Sequence, residues 1–197
     1  MEKEVKVLNK DPAYTGYFRI DKLRFQHTRF DGKLSEPIER ELFDRGQVAA
    51  VLVYDNNLDA LLLVEQCRVG AIETDYDPWL MEIVAGMVED GENPDDVVAR
   101  EALEEAGCNI FNIRPISSFF TSPGGTCEIA HLFFAESDLS SVGGIHGLAE
   151  EGEDIAAHVV PRADVFAMLK QNEFINAKTI VALQWFALNF DDLYPSD

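Results

Sequence analysis

The segment from Gly86 to Gly107 reads GMVEDGENPDDVVAREALEEAG, and its second half carries the punctuation of a helix at both ends. Asn93 suits an N-cap, Pro94 suits the first helical position, Asp95 and Asp96 fill the first turn, and Gly107 stands just past the end. At about 100° per residue, Glu101, Glu104 and Glu105 fall within one arc of about 100°. Val98, Ala102, Leu103 and Ala106 lie on the other side, so the spacing predicts a helix that packs through an apolar stripe and presents its carboxylates together. Acids spaced in this way repel by a few tenths of a kcal/mol per pair. A hard divalent cation removes that cost, because carboxylate oxygens are the ligands Mg²⁺ prefers. A solvated acidic face would also carry Glu-Glu pairs, but it does not call for the Gly86 entry, the preceding Glu92 and the tightly spaced Arg100.

Around this segment the chain alternates strands and helices. Gln47–Tyr54 and Leu58–Glu65 are apolar, β-branched runs joined around Asn56 and Asn57, hence two strands and a turn. Trp79–Val84, Ile113–Thr121, Glu128–Ala135 and Ile155–Val160 read as further strands, with a Ser122-Pro123-Gly124-Gly125 loop between the second and third of these. Gly143–Gly152 is a glycine-rich acidic loop with the composition of a lid, and two helices, near Arg162–Gln171 and Lys178–Phe190, finish the chain. This order indicates an α/β fold, a mixed sheet covered by helices. The segment Tyr14–Leu42 differs, being rich in Arg, Lys and aromatics. Asp31-Gly32 is a hairpin signal between Phe25–Phe30 and Lys33–Ile38. An N-terminal antiparallel β extension over 1–45, followed by a main domain over 46–197, is the expected organisation.

Thirty-six acids against sixteen Lys and Arg give a formal charge of −20 over 197 residues. Such a surface repels phosphate backbones, so nucleic acid and anionic membranes are disfavoured as partners. An anionic substrate would need bound metal as a bridge. Cys67, Cys108 and Cys127 form no Cys-x-x-Cys pair, as suits reduced thiols in the cytoplasm. Neither a signal-like apolar start nor a run long enough to span a bilayer is found.

With these residues in view, the segment resembles the Nudix box, Gly-x5-Glu-x7-Arg-Glu-U-x-Glu-Glu-x-Gly-U, in which U is a bulky apolar residue. Gly86, Glu92, Arg100, Glu101, Glu104, Glu105 and Gly107 match every fixed position, while Ala102 and Cys108 at the U positions are smaller than the pattern asks. The resemblance implies a Nudix fold whose loop–helix–loop holds catalytic metal, Mg²⁺ or Mn²⁺, two or three ions per site. Glu101 and Glu105 would be the principal ligands, the Ala85 carbonyl a backbone ligand, and Glu104 a ligand directly or through water. Glu92 and Arg100 would tie loop to helix by an ion pair.

The chain from about Arg40 to Trp185 is similar to the bacterial ADP-ribose pyrophosphatase group. The similarity rests on Pro123, sixteen residues past Gly107, and on Val64-Glu65-Gln66 with Arg68, Trp79-Leu80-Met81-Glu82 and His146-Gly-Leu-Ala-Glu-Glu-Gly-Glu153. By that likeness Arg68 would contact the phosphates, and Arg40 the adenosine side or a phosphate. Ser122, Gly124 and Glu128 would meet the terminal ribose, and Tyr17 and Phe18 would stack on adenine across a homodimer with composite sites. Glu151 would be the general base and Glu153 a further metal ligand, a register that the alternation of Glu150, Glu151 and Glu153 leaves open by one residue. The implied reaction is metal-dependent hydrolysis of ADP-ribose to AMP and ribose 5-phosphate. Another ADP-sugar or NDP-sugar is the alternative substrate. A silent ADP-ribose sensor is a more remote one, since all the box carboxylates are present.

Overall fold

The computed structural model describes residues 2–195. They form two compact units: residues up to 46 together with 120–129, and the remainder. In the first unit β1 (Val5–Thr15), β2 (Arg19–His27) and β3 (Ile38–Asp44) make an antiparallel sheet in chain order. Asp31-Gly32 does lie in the turn between β2 and β3, with Gly32 at φ +83° and Asp31 Oδ1 accepting the Lys33 N–H at 3.1 Å. The flanking strands are displaced from the expected Phe25–Phe30 and Lys33–Ile38. Between Ile38 and Ser35 the ladder is interrupted, and nearer the turn the hairpin is held by the Thr28–Leu34 bridge, with the Arg29 N–H donating to the Lys33 carbonyl and the Ser35 N–H to the His27 carbonyl. Pro37, with no N–H, cannot continue a ladder there. β1 was not anticipated. All of its residues are exposed, so no alternation of apolar and polar residues marks it, and its register shifts at Val7/Asn9 and Pro12/Tyr14.

The second unit contains β4 (Gln47–Asp55), β5 (Ala60–Cys67), the short helix α1 (Val69–Ile72), β6 (Trp79–Glu82), β7 (Val84–Val88) and α2 (Pro94–Ala106). β8 (Phe111–Phe120), β9 (Ile129–Glu136), β10 (Gly144–His146), β11 (Ile155–Pro161), α3 (Arg162–Lys170) and α4 (Ala177–Leu193) follow. The sheet runs β10-β11-β5-β4-β9-β8, with β6 added to β5 and β7 to β4. The expected strand Trp79–Val84 is therefore two strands. They part at Ile83, whose N–H leaves the ladder for Thr179 Oγ1. The acidic loop Gly143–Gly152 also holds more structure than expected, namely β10 and a 3-10 turn, Ala149–Glu151.

Side-chain alternation along the central strands builds two cores. Ala49, Val51, Val53, Leu62 and Val64 pack with Val97, Val98, Ala102 and Ala106 of α2. Their neighbours Ala50, Leu52, Tyr54, Leu61 and Leu63 pack with Val165 of α3 and Ala182, Leu183 and Phe186 of α4. A strand buried on both faces must be apolar at nearly every position, which is why β4 and β5 read as continuous apolar runs. The α/β expectation, a mixed sheet between helices with N-terminal antiparallel strands, holds. Leu103 and Glu105 correct the predicted stripe of α2: Leu103 is 53% exposed and Val97 takes its place in the core, while Glu105 lies on the buried side with Val98, Ala102 and Ala106 and not on the face opposite them. Among the described residues no helix is long and apolar enough to cross a membrane.

Phe186 is fully buried, stacked on Phe134 at 5.5 Å between ring centroids and tilted against Tyr54 at 5.0 Å. Phe186→Ala leaves a cavity there and is expected to cost about 3–5 kcal/mol in urea unfolding. A loss under about 1 kcal/mol would show that this core repacks freely, against the two-faced arrangement.

Candidate active site

β7 carries the chain from the sheet into α2. Its pairing with β4 sets Ala85 opposite Ala50 and Gly86 opposite Ala49. Gly107 ends α2 in the left-handed region (φ 61°), where its N–H reaches the Leu103 carbonyl and the Cys108 N–H reaches Ala102. Between these fixed ends Glu105 is only 2% exposed, and its Oε2 accepts the Ala85 backbone N–H at 3.1 Å. Burial pushes its carboxyl up to about 8. The charges of Glu101 and Glu153 act in the same direction, while the Ala85 N–H and Arg68 oppose them. Burial likewise raises Glu101, with Arg100 opposing and Glu104 and Glu153 adding. Glu101 lies directly over the Gly86 α-carbon. A Cβ at Gly86 would stand 1.8 Å from Glu101 Oε1, so only glycine leaves room for this carboxylate.

Arg100 gathers the outer carboxylates. Its guanidinium stands 2.8 Å from Glu101 Oε1, 3.0 Å from Glu104 Oε2 and 3.5 Å from Glu92 Oε2. Glu92 also accepts the Glu89 N–H at 3.0 Å and so folds the connecting loop back on itself. On the other flank Arg68 donates through Nε and Nη2 to Glu82 Oε2, at 3.0 and 2.7 Å. Glu105 and Glu153 lie near enough to act on Arg68 electrostatically. Glu82 was missed as a functional candidate. The signal available was a lone carboxylate next to Ile83 and Val84 in an apolar strand, a position that burial tolerates only when the charge is paired.

The loop before β11 is tied down at several points. The Gly147 N–H donates to the Glu104 carbonyl at 3.2 Å, and the Leu148 N–H to Glu153 Oε2 at 3.2 Å. Glu151 is exposed on the 3-10 turn. Glu101, Glu105, Glu153 and Arg68 are thus brought into one electrostatic neighbourhood, with Glu104 joined to it through Arg100. The donor set suits a hard divalent cation: a buried carboxylate with no ion-pair partner, and a glycine cradle filled by a second carboxylate. Among the described residues, no three such side chains stand gathered on one point, and Glu101 and Glu104 are both paired with Arg100.

The remaining candidates lie in the first unit. Tyr17 is 90% exposed and edge-on to Phe18, which packs against Phe43 and under the Arg45 guanidinium. Arg40 is exposed on β3 and donates to the neighbouring Glu39 carbonyl. Ser122 and Gly124 are exposed in a turn where the Ser122 carbonyl accepts from Gly125 and Thr126. Glu128 is buried and paired with Arg45 at 2.6 Å.

The raised Glu105 carboxyl fixes the sign of a pH effect. Its ordinary value is 4.5 and its folded value about 8, so the metal-free fold holds a proton that the unfolded chain releases. The stability from this group is therefore complete below its ordinary value and is lost as pH rises through about 8. Glu105→Gln should melt close to wild type near about pH 4.5 and several degrees above it near about pH 9 without divalent metal. Parallel melting curves across that range would contradict the burial of an ionising carboxylate here.

Comparison with known proteins agrees with this geometry. A family model described as the NUDIX domain matches residues 44–183. The chain is 41% identical over 192 residues to an ADP-ribose pyrophosphatase of Escherichia coli strain K12, covering 98% of this chain and 92% of that one. It is 32% identical to a GDP-mannose pyrophosphatase of Cronobacter sakazakii, over 95% of this chain and 97% of that protein. A crystal structure of an ADP compounds hydrolase superposes with a TM-score of 0.71 over 98% of this chain and 97% of its own, at 18% identity, and so shares the fold. With the cradle at Gly86, the buried Glu105 and a family match across most of its length, the chain belongs to the NUDIX family and is a hydrolase.

Proposed function

We propose that this chain hydrolyses the pyrophosphate of ADP-ribose to AMP and ribose 5-phosphate. The observation that carries the reading is the buried Glu105 carboxylate beside Glu101 in its Gly86 cradle, in a chain so similar over its length to an ADP-ribose pyrophosphatase. Glu101, Glu105, Glu153 and the Ala85 carbonyl would hold divalent cations, with Glu104 binding directly or through water. Mg²⁺ or Mn²⁺, in two or three ions, suits these oxygen donors. Held there, a divalent cation would neutralise charge on the diphosphate and would acidify the attacking water.

The chain's own residues supply the rest. Arg68 would donate to the phosphate oxygens with the N–H groups that Glu82 leaves free. Glu151 would accept a proton from water as the new P–O bond forms and the bridging P–O bond breaks, the leaving phosphate carrying the electron pair. Arg40 would meet the adenosine side or a phosphate, and Ser122, Gly124 and Glu128 the terminal ribose. The first unit exposes Val5, Val7, Tyr14, Tyr17, Phe30 and Leu34 around its sheet, with Phe30 91% exposed. So many large apolar groups on a small sheet support a homodimer in which Tyr17 and Phe18 stack on adenine in the partner's site. A cytoplasmic setting, with free thiols, suits this reading.

GDP-mannose is the specific rival, because the Cronobacter relative is also similar over nearly its whole length. In a panel of ADP-ribose, GDP-mannose, a nucleoside triphosphate and NADH with Mg²⁺, ADP-ribose should lead in kcat/KM by about tenfold or more. A preference for GDP-mannose would overturn the substrate while leaving the family. Gly86→Ala tests the cradle. Forcing Glu101 aside is expected to lower kcat by about 100-fold in a protein that still melts cooperatively. An unchanged kcat would remove Glu101 from the site.

A further inference from the structure

Arg68 is held by a chain of hydrogen bonds that begins on the last helix. Glu82, 1% exposed, spends Oε2 on Arg68 and Oε1 on the Asn176 amide, whose Nδ2 donates at 2.7 Å. A buried carboxylate is costly unless both its charge and its lone pairs are met, and here one partner supplies the charge and the other the second hydrogen bond. Asn176 cannot turn its amide over, because it is also the N-cap of α4: its Oδ1 accepts the Thr179 N–H at 3.2 Å and lies 3.4 Å from the Thr179 hydroxyl. That same hydroxyl accepts the Ile83 N–H at 3.1 Å. The start of α4 therefore grips both sides of the Glu82–Ile83 junction. Through Glu82 it fixes Arg68, and through Ile83 it fixes the strand that goes on to Ala85 and Gly86.

We propose that Glu82 and Asn176 are positioning residues that aim the Arg68 guanidinium at the diphosphate. This rests on the reading above that Arg68 meets that group. Both the Nε and Nη2 donations go to a single oxygen of Glu82, which leaves the Nη1 donors and one Nη2 proton for a ligand. An unbraced guanidinium on a long side chain would pay rotamer entropy on every binding event, whereas a braced one has settled it in folding. Aspartate caps helices as well as asparagine does. The choice of asparagine at 176 thus serves the second contact, since an aspartate would set a carboxylate against Glu82.

The test uses the full chain with Mg²⁺ and compares wild type, Asn176→Asp, Asn176→Ser, Glu82→Gln and the exchanged pair Glu82→Gln/Asn176→Asp. Initial rates are measured on ADP-ribose and on GDP-mannose, and melting is followed in parallel. Asn176→Asp keeps the cap and is expected to raise KM by about tenfold or more, with kcat within about threefold. Asn176→Ser, which also keeps a capping oxygen but has no amide to reach Glu82, should shift KM in the same direction, and it serves if the aspartate variant fails to fold. The exchanged pair restores a donor facing an acceptor and should recover most of the lost KM. An unchanged KM in both Asn176 variants overturns the proposal. So does a KM defect that only tracks melting temperature and is not relieved by the exchange. A wild type that prefers GDP-mannose overturns the substrate reading instead, and the KM comparison is then read on GDP-mannose.

Discussion

The hydrogen bond from the Ala85 N–H to the Glu105 carboxylate joins the sheet to the box helix, and the rest of the site is arranged around it. Glu105 sits on the buried side of α2 among residues that face the core, so its charge lacks solvation and finds only partial compensation in one backbone N–H and the more distant Arg68. A protein would not retain such a group for stability, because burying an uncompensated charge opposes folding. Its burial supports the proposal that Glu105 serves as a ligand for a cation. The proton it holds in the metal-free state is what such a cation would replace.

That bond is possible only because two periodicities are locked together. β7 is registered against β4, whose alternate residues are divided between the two cores, so a slip by one residue would exchange the side chains packed on the two faces. On the other side, Val97, Val98, Ala102 and Ala106 fix the rotation of α2. With both rotation and register set, Gly86 falls under Glu101, and the missing Cβ is a requirement of close approach. Arg100 then offsets the outer carboxylates, while Arg68, braced by Glu82, supplies positive charge on the other flank. Scarce cations in a chain of net charge −20 are thus spent beside its acids.

Much of this was legible in the sequence because it is local. Asn93, Pro94 and Gly107 delimit α2, and the spacing of Glu101, Glu104 and Glu105 is a property of one helix. The apolar runs of β4 and β5 announce strands because burial on both faces leaves no room for polar residues. What stayed hidden depends on partners distant in the chain or on no burial at all. β1 shows no pattern because no face of it is covered. Nothing near Glu82 reveals that Asn176, ninety-four residues on, will hold it. Leu103 matched the apolar arc by angle yet faces outward, because the core beneath α2 is closed by Val97 and Ala102.

Whether the buried Glu105 carboxylate is held for a divalent cation is decided by titrating Mn²⁺ into the protein without substrate and following free Mn²⁺ by electron paramagnetic resonance. Wild type should bind Mn²⁺ at least about tenfold more tightly than Glu105→Gln, because a neutral amide is a poor ligand for a hard cation. Equal Mn²⁺ affinity in the two proteins would contradict the account, and the buried carboxylate would then need another explanation.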